Sequence, residues 1–383
     1  MILETLDPDF LSDSVELVFD PRLPEVEKER LRRLALVAEG RAGSVLVPTS
    51  GTTGASKLVV LSKRAIQDSA AAVIEHLCAG TRDTWLLALP LFHVGGLGVL
   101  ARSFLAASKL VRLPSVDGRP TWSPSAFVDL CTQKKVTLTA LVPTQVFDLV
   151  QAGLKAPATL RAIVVGGGAL DAALYQRARV LGWRLLPSYG MTETASQVAT
   201  ASLRSLDDSP DAGLPWLEEL PHAKLSIGPL STIEVRASSL LDGYVTEDAT
   251  GLRFFDPKGP DGLFRSGDFG EIQVVDGKTA LRVIGRGDDV VKINAESVDI
   301  AALDAWLQEC AGRLGIPGTV AVGFRADARR GAELVLMESD DVSNVRLALL
   351  DAFHARVRPF ERLSVLGPGS LQRTELGKVR RKV

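Results

Sequence analysis

The sequence predicts an α/β fold, with a large N-terminal α/β domain that carries a β-rich part and a small C-terminal α+β domain behind it. Three observations lead there. From about residue 44 to 190, short apolar runs alternate with helix-like segments, the pattern of a largely parallel sheet covered by helices. After about residue 197, glycines, prolines and acidic residues punctuate short alternating strands. From Gly285 a module of about a hundred residues reads as helix and strand again, a usual domain size. The boundaries drawn are 1–284 for the large domain (1–196 α/β, 197–284 β-rich) and 285–383 for the small one.

The elements follow in order. Val45-Leu46-Val47 and Leu58-Val59-Val60-Leu61 read as strands on either side of a glycine-rich loop. Ser62 is placed to cap a helix through Leu77. Trp85 to Leu89 reads as a strand and Gly96 to Ala107 as a helix. Ser123 before Pro124 reads as a cap with proline in the first helical position, opening a helix to about Gln133. Val136 to Val142 and Leu160 to Val165 are β-rich, the second ending in Gly166-Gly167-Gly168. Asp171 is a cap for the next helix, and Trp183 to Leu186 returns as a strand. In the β-rich part, strands are read at Ile233 to Ala237, Glu271 to Val275 and Leu281 to Ile284. The last module has helices at Ala301 to Cys310 and Val345 to Arg356, with strands at Val320 to Phe324 and Glu333 to Met337.

The composition narrows the function classes. The chain has 383 residues, 46% hydrophobic and 23% charged, with a formal net charge of -2, so nothing favours nucleic-acid binding. The basic end from Lys378 to Lys382 reads as a solvated tail. Cys78, Cys131 and Cys310 are scattered, without CxxC spacing, which suits a reducing cytoplasm. The N-terminus lacks a signal peptide's basic start and apolar run. The most apolar stretch, Trp85 to Ala106, contains Pro90, His93 and Arg102 with glycines between them. That reads as strand, turn and helix, without membrane insertion.

Two stretches carry the chemistry. Thr49-Ser50-Gly51-Thr52-Thr53-Gly54-Ala55-Ser56-Lys57 packs hydroxyls and glycines into a loop ending in lysine. Glycine lets backbone approach a ligand, and hydroxyls and amides suit phosphate oxygens. Read alone, a flexible polar turn between two strands is the lesser alternative. It is not a Walker loop, which needs glycine directly before the lysine and a hydroxyl directly after. Ser188-Tyr189-Gly190-Met191-Thr192-Glu193-Thr194 puts an aromatic ring, a hydroxyl and a carboxylate together after a strand, where ligands of open α/β sheets collect. Thr192 is also placed to cap a helix there. Gly267-Asp268 is a tight turn with an acid, and Gly285-Arg286-Gly287-Asp288-Asp289 sits at the boundary; each is ordinary by itself. A lysine at 378 is in isolation a surface residue, and His93 between Phe92 and Val94 reads as a core or capping histidine.

In this order the pieces resemble the adenylate-forming superfamily of acyl-CoA synthetases, peptide-synthetase adenylation domains and luciferases. The resemblance runs from about Val47 to the C-terminus. It rests on Thr49 to Lys57, Leu89 to Gly96, Gly166 to Leu170, Tyr189 to Glu193, Gly267-Asp268, Gly285 to Asp289 and Gly377-Lys378. Within the superfamily, Ser188 to Gln197 and Leu89 to His93 look most like the o-succinylbenzoate–CoA ligases of menaquinone biosynthesis. The fold so implied is acyl-CoA synthetase-like, N-terminally shortened, with a mobile C-terminal domain.

The resemblance implies two half-reactions. A carboxylate attacks the α-phosphate of ATP, giving an acyl-adenylate and pyrophosphate, and coenzyme A then displaces AMP. Thr49, Ser50, Gly51, Thr52, Thr53, Gly54 and Lys57 would hold the departing pyrophosphate. Ser188, Tyr189 and Gly190 would frame adenine, with Tyr189 stacked on it and Gly167 and Gly168 on its other side. Thr192 would touch the α-phosphate and Glu193 would ligate Mg2+. Asp268 and Arg286 would bind the ribose. Lys378 would reach in as the catalytic lysine, Asp288 would be the hinge, and His93 would border the acyl pocket. Ser196 and Gln197 are candidates for contacts to an aromatic diacid. There are three departures: only 48 residues precede Thr49, Ser56 replaces a common proline, and Ala295 stands where a glycine often lets the pantetheine arm pass. Another acid, a carrier-protein thiol as acceptor, a homodimer, and a silent nucleotide-binding protein stay open at this stage.

Overall fold

The computed structural model describes residues 12–38, 40–49, 57–116, 119–170, 172–248, 251–286, 290–372, 379 and 381–383. They form two compact units, one running to Gly285 and the other from Arg286 onward.

The first unit is built on two sheets. The larger has eleven strands. Five are parallel neighbours, in the order Lys109–Arg112, Thr84–Leu87, Leu138–Leu141, Ala162–Val165 and Leu185–Met191. Side chains alternate between the two faces of these strands. Trp85, Leu87, Ala162 and Val164 join one core with the helices Lys63–His76 and Val94–Leu105. Leu86, Ile163 and Val165 join another with Phe127, Val146, Leu149 and Leu174 from the helices Pro124–Lys134, Pro143–Gln151 and Ala172–Val180. Covering both faces is what parallel strands require, and it explains why they read as continuous apolar runs. The sheet then continues antiparallel without a break through Ser196–Ala201, Leu217–Glu219, Lys278–Arg286, Phe264–Val275, Thr232–Ala237 and Ala223–Ile227.

The smaller sheet corrects one expectation. Ser44–Thr49 and Lys57–Ser62 pair with each other antiparallel and take no part in the parallel sheet. Their neighbours are Glu16–Leu17 on one side and Gly243–Asp248, then Gly251–Phe255, on the other. A strand that begins at Gly243 therefore lies directly beside Lys57–Ser62. The outer face of this sheet buries Leu46, Leu58, Val60 and Val245 under Leu31 and Leu34 of the helix Glu25–Leu36. Each such side chain contributes on the order of 1.5–3 kcal/mol.

Several local expectations need adjusting. Ser62 does cap its helix, accepting from the Ala65 amide. Ser123 makes no side-chain capping bond, so Pro124 alone marks that start. The β-rich run Val136 to Val142 is cut short at Leu141 because Pro143 opens a helix of its own. Strand Leu185–Met191 extends through the tyrosine segment, and Thr192 is not a helix cap but the first residue of a one-turn 3₁₀ helix, Thr192–Thr194. Asp171 lies outside the described residues. The three thiols are free.

The second unit has the three-stranded sheet Val320–Asp327, Gly331–Glu338 and Ser364–Gly367, with the helices Ile300–Arg313 and Ser343–His354. Leu307, Leu334, Leu336, Leu349 and Phe353 fill its core. Glu338, fully buried, is held by Arg346 through two bonds of 2.6 and 2.8 Å. In the hairpin Val290–Ile293 and Glu296–Asp299, Asn294 and Ala295 both take left-handed backbone, at φ +52° and +69°. That conformation favours glycine at the second position, and this chain has alanine there.

Candidate active site

Two sets of side-chain contacts tie the tyrosine segment to other strands of the first unit. The first joins the smaller sheet to the tyrosine segment. Thr49 and Lys57 face each other as the last and first residues of their strands. The Lys57 ammonium lies 3.5 Å from the centre of the Tyr244 ring and 3.8 Å from Glu193 Oε1. Tyr244 donates its hydroxyl to the same Glu193 oxygen at 2.7 Å. The Glu193 carbonyl also accepts from the Leu241 amide at 2.8 Å, tying the turn to the segment that leads into Tyr244. The second joins Tyr189 to a residue 79 positions away: its hydroxyl donates to Asp268 Oδ2 at 2.9 Å. Asp268 follows Gly267 at φ +74°, and its amide donates to Ser266 Oγ.

Local backbone features hold these groups. The pairing of Leu185–Met191 with Ser196–Ala201 shifts register between Tyr189 and Gly190. A β-carbon on Gly190 would collide with the Ser196 carbonyl, so only glycine lets the two backbones close here. Thr194 accepts from the Met191 amide at 3.0 Å and donates to the Ser196 carbonyl at 2.6 Å, locking the turn that projects Glu193. Ser188 donates to the Val165 carbonyl at 3.0 Å, and Gly166 leaves the room its hydroxyl needs. Gly167, at φ +81°, turns the chain at the strand's end, with Gly168 next to it.

The remaining sequence-predicted residues divide. His93 immediately precedes the helix Val94–Leu105, its ring 4.8 Å from Phe92, and makes no side-chain capping bond. Arg286 ends the strand Lys278–Arg286. Ser50, Gly51, Thr52, Thr53, Gly54, Asp288 and Lys378 lie outside the described residues.

Three residues that sequence reasoning did not single out belong here. Tyr244 is one. Thr246, two positions on, is another: its hydroxyl and that of Thr49 are both buried with no partner. Val245 pairs with Leu58, so one further step of that register sets Thr246 beside Lys57. Arg102 is the third. It comes from the helix Val94–Leu105 and is 1% exposed. It donates to Ser196 Oγ at 3.1 Å and Gln197 Oε1 at 2.5 Å, while its Nε has no partner. Gly98 leaves space for the guanidinium, which a β-carbon would approach to 2.9 Å. Burial without a carboxylate pushes its pKa down to about 9, so it stays charged at neutral pH. A buried cation with only neutral partners is costly, and an anion beside it would repay that cost. The available signal was a charge inside the most apolar stretch of the chain.

The donor set suits a magnesium ion shared with phosphates. Glu193 offers carboxylate oxygen, and among the described residues no cluster of three metal-ligating side chains exists. A protein-poor, oxygen-only site completed by phosphates and water is how magnesium is commonly held.

Residues 14–227, more than half the chain, match the family of AMP-binding enzymes. The chain belongs to that family. Among curated relatives, the 2-succinylbenzoate–CoA ligase of Bacillus velezensis is 29% identical over 270 residues, covering 69% of this chain and 53% of the relative. That of Staphylococcus aureus strain MSSA476 is 28% identical over 339 residues, covering 86% and 65%. The chain thus spans about half to two thirds of the length of the curated relatives it matches. Among solved structures, a double mutant of o-succinylbenzoate CoA synthetase from Bacillus subtilis, bound to a product analogue, superposes with a TM-score of 0.71 at 24% identity. It covers 96% of this chain and 77% of that one, and the likeness shows that this AMP-binding enzyme has the fold of the acyl-CoA synthetases.

Proposed function

We propose that this AMP-binding enzyme is an ATP-dependent acid–thiol ligase that converts o-succinylbenzoate to its coenzyme A thioester through an acyl-adenylate. The substrate carboxylate attacks the α-phosphorus, the bond to the bridging oxygen of the β-phosphate breaks, and pyrophosphate leaves. The thiol of coenzyme A then adds to the acyl carbonyl and AMP departs. Such transfers depend on positioning and charge neutralisation. Lys57, with Thr49, Thr246 and the loop residues Ser50 to Gly54, takes the pyrophosphate. Tyr189 and Asp268, already joined by a hydrogen bond, take adenine and ribose, with Gly167, Gly168 and Ser188 around the base and Arg286 on the sugar. Thr192 faces the α-phosphate. Glu193 holds magnesium, which when bound neutralises charge on the phosphates. Lys378 supplies the cation at the transition state. The boundaries 1–284 and 285–383 with a hinge at Asp288, His93 at the acyl pocket, a cytoplasmic location and a homodimer complete the reading.

The observation that carries the choice of acid is Arg102. A diacid leaves one carboxylate free after adenylation of the other. A buried arginine beside Ser196 and Gln197, three residues past Glu193, supplies the counter-charge such a group needs. The names of the relatives point to the same acid. A different acceptor is the second reading, because Ala295 takes left-handed backbone at φ +69° where, by the resemblance, the family often has glycine.

The test is magnesium-dependent pyrophosphate release from ATP with o-succinylbenzoate, with benzoate, which lacks the second carboxylate, and with aliphatic acids, each with and without coenzyme A, using Lys378→Ala as the blank. Release with o-succinylbenzoate, together with a thioester seen by mass spectrometry, is the expected result. Release only with monoacids overturns the choice of acid, and adenylate without thioester moves the acceptor to another thiol or amine.

A further inference from the structure

Lys57 and Glu193 carry opposite charges and sit 3.8 Å apart, too far for a hydrogen bond and close enough to collapse into one. Tyr244 stands between these two outcomes. Its hydroxyl occupies Glu193 Oε1 at 2.7 Å, and its ring face carries the Lys57 ammonium at 3.5 Å from the centroid. The tyrosine is itself fixed. It pairs with Val59 in the sheet, is 5% exposed, and packs on Phe255 with ring centres 5.4 Å apart. Its neighbour Gly243 cannot carry a side chain, because a β-carbon there would run into the Phe254 ring and the Phe255 carbonyl. The buried, partnerless hydroxyls of Thr49 and Thr246 border the same lysine and suit ligand oxygens.

We propose that Tyr244 is a positioning residue that keeps Lys57 and Glu193 from closing on each other, so that the carboxylate meets a divalent cation and the ammonium meets phosphate. The inference rests on the reading of this site as one for magnesium and ATP. Without the hydroxyl, Glu193 turns onto Lys57, and a cation must first break that ion pair. The ring alone still carries the ammonium, so the hydroxyl's part can be separated from the ring's.

The experiment is calorimetric titration with ATP across a range of magnesium concentrations, for the wild type, Tyr244→Phe, Glu193→Gln and the double variant, beside pyrophosphate release. Tyr244→Phe is expected to need about tenfold more magnesium for half-maximal nucleotide affinity, as outer partners of metal ligands commonly do. Its affinity for ATP without magnesium should fall too, but by less, because Glu193 then draws Lys57 from phosphate with no cation at stake. In the Glu193→Gln background the same change should leave the magnesium curve where it is. An unchanged curve in Tyr244→Phe, or an equal shift in both backgrounds, overturns the proposal, since a general loosening of the sheet does not need the carboxylate. ATP binding by the wild type that ignores magnesium overturns it too. Magnesium-dependent binding without pyrophosphate release from any acid would instead defeat the ligase reading, while the comparison of binding curves still decides the role of Tyr244.

Discussion

Arg102 is a residue placed at a cost to the fold. A fully buried guanidinium with two neutral partners and an orphan Nε is a destabilising choice unless something outside the protein's own side chains answers it. Stability and binding should therefore move in opposite directions on its removal. Arg102→Met, close in shape and uncharged, is expected to raise stability by about 1–2 kcal/mol in urea titrations. The same variant should raise the KM for a diacid by about a hundredfold, while leaving monoacids alone. Arg102→Lys keeps the charge but loses the planar fork, and should fall between. A destabilised Arg102→Met with unchanged diacid KM would mean that the arginine is there for the core. The sequence showed this charge plainly, but only as an argument against a membrane span. Its meaning needed Ser196 and Gln197 alongside, and nothing in the linear order places residues 94 and 95 positions apart in contact.

At the level of elements, most of the parallel sheet was legible because continuous apolar runs and cap signals are local. Lys63–His76 began at the serine that read as its cap. The misreadings occurred where a local signal was overridden. The helix Pro143–Gln151 was hidden by a β-branched run leading into it, and the two strands beside the glycine-rich loop looked like members of the parallel sheet because their apolar runs are the same. Tyr244 stayed hidden for the same reason: its importance comes from pairing with Val59. The strand Leu185–Met191 gives the sharpest test at this scale. The register shift at Gly190 is sterically obligatory, so Gly190→Ala should cost about 3 kcal/mol or more, or prevent folding. Gly285→Ala, where a β-carbon meets nothing within 4 Å, should stay within about 0.5 kcal/mol. Equal denaturation midpoints for the two variants would mean that the strand tolerates the alanine by shifting register again.

At the scale of the molecule, the first unit joins a helix-covered parallel half to an antiparallel half within one sheet. The junction between helix and sheet carries a pH liability. His222 lies in the turn between Leu217–Glu219 and Ala223–Ile227, and both of its ring nitrogens are buried without partners. Burial pushes its pKa down to about 4, against a smaller opposing pull from Asp68 on the helix Lys63–His76. The unfolded chain takes the proton more readily than the folded one. The stability tied to neutral His222 is therefore whole above the unfolded value of about 6.5 and is lost as the pH falls toward 4. At pH 5 that loss is roughly 2 kcal/mol. Trp85, Trp122, Trp183 and Trp216 all belong to the first unit, so fluorescence reports mainly on its unfolding. Urea titrations followed that way at pH 7.5 and pH 5 should show the wild type losing about 2 kcal/mol more than His222→Phe, which has no proton to bind. Parallel losses in the two proteins would assign the acid sensitivity to other groups and leave His222 as ordinary packing.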